Sequence, residues 1–131
     1  MKTRLYKTTD YPSFVDWWSA RWGGAPDIQI LPQSGIVVES DGVDIAAGWV
    51  YLDLTASVAI ASWVVTNPLN SDRLSAEAVT MLIGGLIQLA KSQGRSCIMT
   101  ACPSGSLSRA FESCGFESKD KDIEHLTLNL I

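Results

Sequence analysis

Few side chains in this sequence can move a proton near neutral pH, and they do not cluster. His125 is the single histidine, and it alone titrates near neutrality without a large shift. The carboxylates Glu39, Asp53 and Glu124 are further candidate bases, each needing a raised pKa to serve. Cys97, Cys102 and Cys114 form no CxxC pair, and with one histidine they do not make up a zinc ligand set, so no metal is expected. Cys102, beside Pro103, has the chemistry of an acyl-accepting nucleophile, but no basic neighbour in sequence would activate it. The more informative pattern lies in the backbone. Residues 58–66, Val-Ala-Ile-Ala-Ser-Trp-Val-Val-Thr, form an apolar, β-rich run that breaks at Asn67-Pro68 and crosses a short polar turn. The longest helix-patterned segment, residues 74–94, follows at once. A strand, a turn and a helix start make a site for an anion, because the free N–H groups and the helix dipole both favour negative charge.

The elements that must position this turn follow from periodicity. Residues 4–9 alternate as a short strand, and Tyr11-Pro12 opens a helix over 13–22 whose Phe14, Trp17, Trp18 and Trp22 make an aromatic stripe. Gly23-Gly24 ends it, and 25–34, with two prolines, reads as a loop. Residues 35–40 form a strand, Asp41-Gly42 a tight turn, and 45–53 a strand apolar on both faces, hence central and covered on both sides. With 58–66 these make an antiparallel meander. Ser71 or Asn70 caps the long helix, and Leu74, Ala78, Leu82, Leu86 and Leu89 mark its buried side. Gly84-Gly85 within it point to close packing against the sheet. Residues 97–101 give a strand parallel to 58–66, reached by a crossover. A short helix follows, with Leu107, Ala110, Phe111 and Cys114 inward and Gly115 as its cap. Residues 123–131 alternate as a last strand with one wet face.

The totals exclude several classes. At 131 residues, 47% apolar and 18% charged, the chain is expected to be a single domain, 1–131, with a packed core. No uninterrupted apolar run approaches the ~20 residues of a membrane span, and the amino terminus lacks a signal-peptide core. A net charge of −4 with a pI near 4.8 and scattered basic residues argues against nucleic acid as a partner. Reduced thiols and no membrane segment point to the cytoplasm.

This order of elements resembles the GNAT acyl-CoA N-acyltransferase fold, an α+β arrangement with a mixed, mainly antiparallel sheet flanked by helices, across essentially the whole chain. Two stretches carry the resemblance. One runs from Trp63-Val-Val-Thr-Asn-Pro68 through Arg73 to Ala90-Lys-Ser-Gln-Gly94, similar to the family's strand, pyrophosphate loop and following helix. The other is Ser106-Leu-Ser-Arg-Ala-Phe-Glu-Ser-Cys-Gly-Phe116, similar to the family's helix ending in Tyr-Glu-x-x-Gly-Phe. The chain resembles in particular the small GNAT-like proteins common in phage genomes.

The resemblance implies acetyl-CoA as co-substrate, its pyrophosphate on Arg73, Leu74, Ser75, Ala76, Glu77 and Ala78, and its pantetheine along Trp63, Val64 and Val65, with Ser104 hydrogen-bonding the arm. The N–H after Trp63 would polarise the thioester carbonyl. Ser62 stands where the family often has a base, and His125 is the alternative. The acceptor amine would enter near Trp49 and Tyr51. Departures are equally plain: Ala76 replaces the loop's first glycine, Glu77 adds negative charge, and Phe111 stands at the position of the tyrosine that protonates the leaving thiolate. Three readings therefore stay open. One is an N-acetyltransferase acting on a small-molecule amine, a protein lysine or an N-terminus. The second is a catalytically degenerate binding protein, such as a phage factor inhibiting a host protein through exposed tryptophans. The third is a homodimer whose only function is structural.

Overall fold

A computed structural model describes residues 1–130. Five strands form one sheet in the order β1 (Lys2–Leu5), β2 (Gly35–Ser40), β3 (Val43–Leu52), β4 (Val58–Thr66) and β5 (Cys97–Thr100). The first four pair antiparallel, and β4 pairs β5 in parallel. Helix α1 (Tyr11–Trp22) covers one face. The long helix α2 (Asp72–Ser92) covers the other, with α3 (Ser106–Ser113) beside it. This is the mixed, mainly antiparallel α+β architecture expected from the sequence.

The two faces of β3 sort the core. Ala46, Val50 and, on β4, Ala59, Ala61 and Val64 pack under Ala78, Leu82, Ile83 and Leu86 of α2. Ala47, Trp49 and Val65 pack under Phe14, Trp17 and Trp18 of α1. Five of the residues on the α2 stripe are buried at helical spacing (Ala78, Leu82, Ile83, Leu86 and Ala90). By length and composition α2 is apolar enough to cross a membrane, but that apolar stripe is spent against the sheet.

Two glycine expectations separate on inspection. A Cβ on Gly85 would lie 3.1 Å from Ile36 Cγ2, so this residue does let α2 approach β2. A Cβ on Gly84 would meet nothing within 4 Å. Gly35 is tighter still, with its virtual Cβ 2.6 Å from the Trp49 ring and 2.9 Å from Tyr6 Cβ. That missing side chain is the space the Trp49 indole fills.

The amino-terminal strand ends at Leu5, earlier than its alternation suggests, because Thr8–Asp10 close a 3-10 turn. Asp10 draws the chain round: its carboxylate accepts from the Lys7 amide at 2.8 Å and from two Arg4 nitrogens at 2.8 and 3.1 Å. Burial pushes the Asp10 carboxyl up, but the Arg4 and Lys7 hydrogen bonds and charges outweigh it and hold the group below the usual carboxylate range. The larger correction is at the other end. Residues 123–130 form no strand and are exposed; Ile131, the last residue of the expected strand, lies outside the described residues. Alternation supplies a strand's faces, but a strand also needs a paired edge, and none of the recorded strand pairings takes in this segment.

Three outcomes follow for stability. In urea unfolding, Gly84→Ala should stabilise the protein by about 0.5–1 kcal/mol, since it restores helix propensity in open space. Gly35→Ala should destabilise it by about 1–3 kcal/mol, because the fully buried indole has nowhere to go. The Asp10 contribution is present above the ordinary carboxylate pKa and is lost as pH falls through the lowered folded value. Asp10→Asn should therefore destabilise by about 1–2 kcal/mol near neutrality, and its stability should fall less steeply than that of the wild type between about pH 5 and pH 3.

Candidate functional site

Strand β4 pairs with β3 from Ala59 to Thr66, with one irregularity, but loses β5 halfway. The β4–β5 pairs run from Val58–Cys97 to Ala61–Thr100 and stop there, and Thr100 Oγ1 closes the last rung by donating to Ala61 O at 2.9 Å. Beyond it, the β4 backbone from Ser62 to Thr66 has no strand partner on the β5 side among the described residues. From this point the two strands splay apart.

A bulge sits at the same place. Trp49 lies opposite Ser62 and Ala47 opposite Val65, so Trp63 and Val64 together face the single residue Gly48. Trp63 takes φ of 63°, the left-handed region, which is strained for an aromatic residue. Its carbonyl accepts from Trp18 Nε1 at 3.2 Å, and its own Nε1 donates to Tyr51 Oη at 2.8 Å. A Cβ at Gly48 would stand 3.2 Å from both Leu82 Cδ2 and Val64 Cγ2, so glycine is what lets α2 close over the bulge. The extra residue also switches faces. Ala59 and Ala61 point to α2, and after the bulge Val64 takes over that role while Val65 turns to α1.

The turn after β4 is lashed to β3. Asn67 N donates to Ile45 O at 3.0 Å and its Nδ2 to Asp44 O at 3.2 Å, while its Oδ1 accepts from the Leu69 amide. Asn70 Nδ2 donates to Ile45 O at 2.8 Å and to Ser75 Oγ. Ser71 then caps α2 by accepting from the Leu74 amide at 3.1 Å, as the cap residue should. The sequence reading had offered Ser71 and Asn70 as equal caps; Asn70 holds the turn instead. It also missed Arg21, whose Nη2 donates to Thr66 Oγ1 at 3.0 Å and ties α1 to the end of β4.

Residues 73–78 lie within α2, not in a loop ahead of it. The Ser75 amide bonds Ser71 O and the Leu74 amide bonds Ser71 Oγ. The amides of Asp72 and Arg73 are therefore the first-turn donors without a partner among the described residues. Arg73, with its side chain 91% exposed, pairs with Glu77 at 3.3 Å across one helical turn, so the repelling carboxylate and the attracting guanidinium partly cancel. Ala76 sits in regular helix and needs no glycine there.

The remaining predicted site residues separate. Ser62 is half-buried, and its hydroxyl has no hydrogen bond among the described residues. Trp49 is 0% exposed inside the aromatic cluster, 5.2 Å from both the Trp18 and Tyr6 rings, so it cannot line an acceptor cleft: the room left by Gly35 draws it inward. Tyr51 does reach a shallow cavity of about 360 Å³ with Asp53, Val58 and Ile60, and its hydroxyl donates to Ile30 O at 2.6 Å. Phe111 is 3% exposed, packed edge-on to Phe116 at 4.9 Å, and serves the core. Ser104 is exposed in the loop before α3. His125 and Glu124 lie in the exposed segment after α3, outside the sheet.

The other candidate bases are committed elsewhere. Glu39 pairs with Lys2 and Arg4 at 3.4 Å each. The Asp53 carboxylate accepts from the Ala56 and Thr55 amides, which lower its pKa and keep it ionised. Burial raises the Cys102 thiol, which removes thiolate character from the one cysteine that had seemed placed for nucleophilic chemistry. Among the described residues no three His, Cys, Asp or Glu side chains group as metal ligands.

No family model and no curated sequence matches the chain. Solved structures do. A probable acetyltransferase aligns over 100% of this chain and 99% of its own at 13% identity and a TM-score of 0.72. The acetyltransferase AAC(6')-Iy, solved with the bisubstrate analog CoA-S-monomethyl-acetylneamine, aligns over 98% of each chain at 18% identity and a TM-score of 0.66. N-acetylglutamate synthase from Neisseria gonorrhoeae, complexed with coenzyme A and N-acetyl-glutamate, covers 92% of this chain and 29% of its own at 15% identity and a TM-score of 0.67. With its splayed strands, its β4 bulge and its capped α2, the chain has the acyl-CoA N-acyltransferase fold.

Proposed function

We propose that this single-domain chain is an acetyl-CoA-dependent N-acetyltransferase that moves the acetyl group directly to an amine. The observation that carries the proposal is the unpaired β4 backbone from Ser62 to Thr66, which opens where β5 diverges and leads straight into the start of α2. Coenzyme A is an extended amide chain ending in a pyrophosphate. An open strand edge followed by a helix start offers both parts a partner in the right order. The neighbours solved with coenzyme A or a bisubstrate analog support the same reading.

In this mechanism the pantetheine amides pair along Trp63, Val64 and Val65, and the pyrophosphate meets the Asp72 and Arg73 amides and the Arg73 side chain. The β4 bulge, held by Trp18 and Tyr51, fixes the backbone beside the thioester, where an N–H in this stretch stabilises the developing oxyanion. The neutral amine attacks the carbonyl carbon, the C–N bond forms and the C–S bond breaks. Water takes the ammonium proton and supplies one to the thiolate, a far better leaving group than an alkoxide, so that no acid is required. Phe111 cannot assist. The chain then contributes orientation and electrostatics more than proton transfer.

Three results test this. Acetyl-CoA should raise the melting temperature, and Arg73→Glu should lessen the rise. No shift at millimolar acetyl-CoA, well above the Kd such a site needs for a measurable stabilisation, would sink the proposal and return the degenerate binding protein. Glu77→Gln should tighten acetyl-CoA about two- to fivefold, by removing a repulsive charge worth about 0.5–1 kcal/mol at the helix start. In a thiol-release assay with a panel of amines, the rate should climb with the free-base fraction of the amine, and His125→Ala should leave that pH profile unchanged. A bell-shaped profile that His125→Ala flattens would assign the base to His125 instead.

A further inference from the structure

The part of the sheet that α1 leaves open begins beside the candidate site. Phe14, Trp17 and Trp18 cover Ala47, Trp49 and Val65. Alternation puts Tyr51, two residues beyond Trp49, on that same face. Strand pairing carries the row onward, with Tyr51 opposite Ile60 and Ile60 opposite Met99. Ile60 is 46% and Met99 55% exposed, so neither is taken up by a core. No charged residue occurs in 58–66 or 97–100. Tyr51 adds a ring to this row and little polarity, because its hydroxyl donates to Ile30 O at 2.6 Å and accepts from Trp63 Nε1 at 2.8 Å. Tyr51, Val58 and Ile60 line the cavity of about 360 Å³, a volume in the range of small-molecule sites. The Asp53 carboxylate on its lining is held by the Thr55 and Ala56 amides. It stands at the Val58 end, where the Asp53 amide donates to Val58 O, four residues or about 13 Å along the strand from Ser62.

The place of this row relative to a thioester rests on the acetyltransferase reading. There the pyrophosphate meets the start of α2, past Thr66, so the acyl end of the cofactor points back along β4 toward Trp63 and Ser62. Ser62 lies opposite Trp49 and so faces the same side as Ile60, two residues or about 7 Å away. An amine that attacks at this point lays its substituent over Ile60 and Met99. We propose that the acceptor is a primary amine borne on an uncharged hydrocarbon arm, alkyl or aryl, and that Ile60 and Met99 select it. Such an arm gains by leaving water on this row. A second ammonium laid there would lose hydration with no carboxylate beside it.

Linear alkylamines have nearly one basicity, so chain length alone varies among them. In thiol release from acetyl-CoA, kcat/KM should rise about two- to fourfold per methylene from propylamine to hexylamine. The diamine of hexylamine's length should be slower by about tenfold, and Met99→Glu should cost hexylamine about as much, with far-UV circular dichroism and the acetyl-CoA melting shift unchanged. Apart from turnover, hexylamine should raise the melting temperature of the CoA-saturated wild type more than that of Met99→Glu. Release that is flat with chain length, or fastest with the diamine, overturns the inference and leaves the acetyltransferase reading standing. A rate that follows the donor's acyl length instead, hexanoyl-CoA over acetyl-CoA, also overturns it and gives the row to the acyl chain. If no amine releases thiol, the acetyltransferase reading falls, and the hexylamine melting shift still decides this one: its presence supports the apolar site and its absence overturns it.

Discussion

The structure depends on one asymmetric strand. β4 pairs with β3 from Ala59 to Thr66, broken only at the Trp63 bulge, but with β5 only as far as Ala61. A backbone buried in a sheet must satisfy its N–H and C=O groups somewhere, and a row of unpaired ones persists only where water or a ligand reaches it. The left-handed Trp63 is what keeps the arrangement from closing. It turns the strand by one residue, transfers Val64 to the α2 face and Val65 to the α1 face, and spends its carbonyl on Trp18 and its indole N–H on Tyr51. A regular β4 would carry Val64 and Val65 to the wrong sides of the sheet, and both cores would lose a buried valine.

Around that strand the polar contacts are arranged to hold a turn. Asp10 holds Arg4, Arg4 holds Asp44 at 3.0 Å, and the Asp44 carbonyl accepts from Asn67. Arg21 reaches Thr66 from the opposite face. The turn between β4 and α2 is thus tied to the amino-terminal corner, to β3 and to α1, although it carries little apolar burial of its own, with Leu69 almost fully exposed. Such a turn keeps its first-turn amides aimed in one direction. That is the preorganisation an anion site needs, since donors already in place cost no reordering when the ligand arrives.

Much of this was legible in the sequence because the core residues obey simple periods. The twofold alternation of 46–50 and the four-residue spacing of Ala78, Leu82 and Leu86 name the faces they bury, and Asp41-Gly42 does form its left-handed turn, with φ of 51° and 78°. The burial of Trp49 was not legible, because it is decided by the empty Cβ position of Gly35, a residue that only pairing brings opposite. Nor was the commitment of Glu39, Asp53 and Asn70, whose partners are set by register and turn geometry. The last strand was misread for a related reason. Leucines at every second position describe the two faces a strand would have, and say nothing of whether an edge is there to pair with it.

The electrostatics of the helix start bear on what chemistry remains. Arg73 is bound to Glu77 and followed by no second cation in that turn, while Asp72 adds another carboxylate. Two free amides and one half-neutralised guanidinium make a weak grip on a pyrophosphate, so affinity for an acyl-CoA must come mostly from the strand-like pairing along β4. That pairing reads amides and not charge, and it positions the thioester relative to the Trp63 bulge whatever the strength of the phosphate contact. In the proposed reaction, where no side chain handles the protons, positioning and oxyanion stabilisation are the terms left to lower the barrier. The geometry of β4 then matters more to turnover than any titrating group, and loss of the bulge should be felt in the rate before it is felt in the binding of the cofactor's distal phosphates.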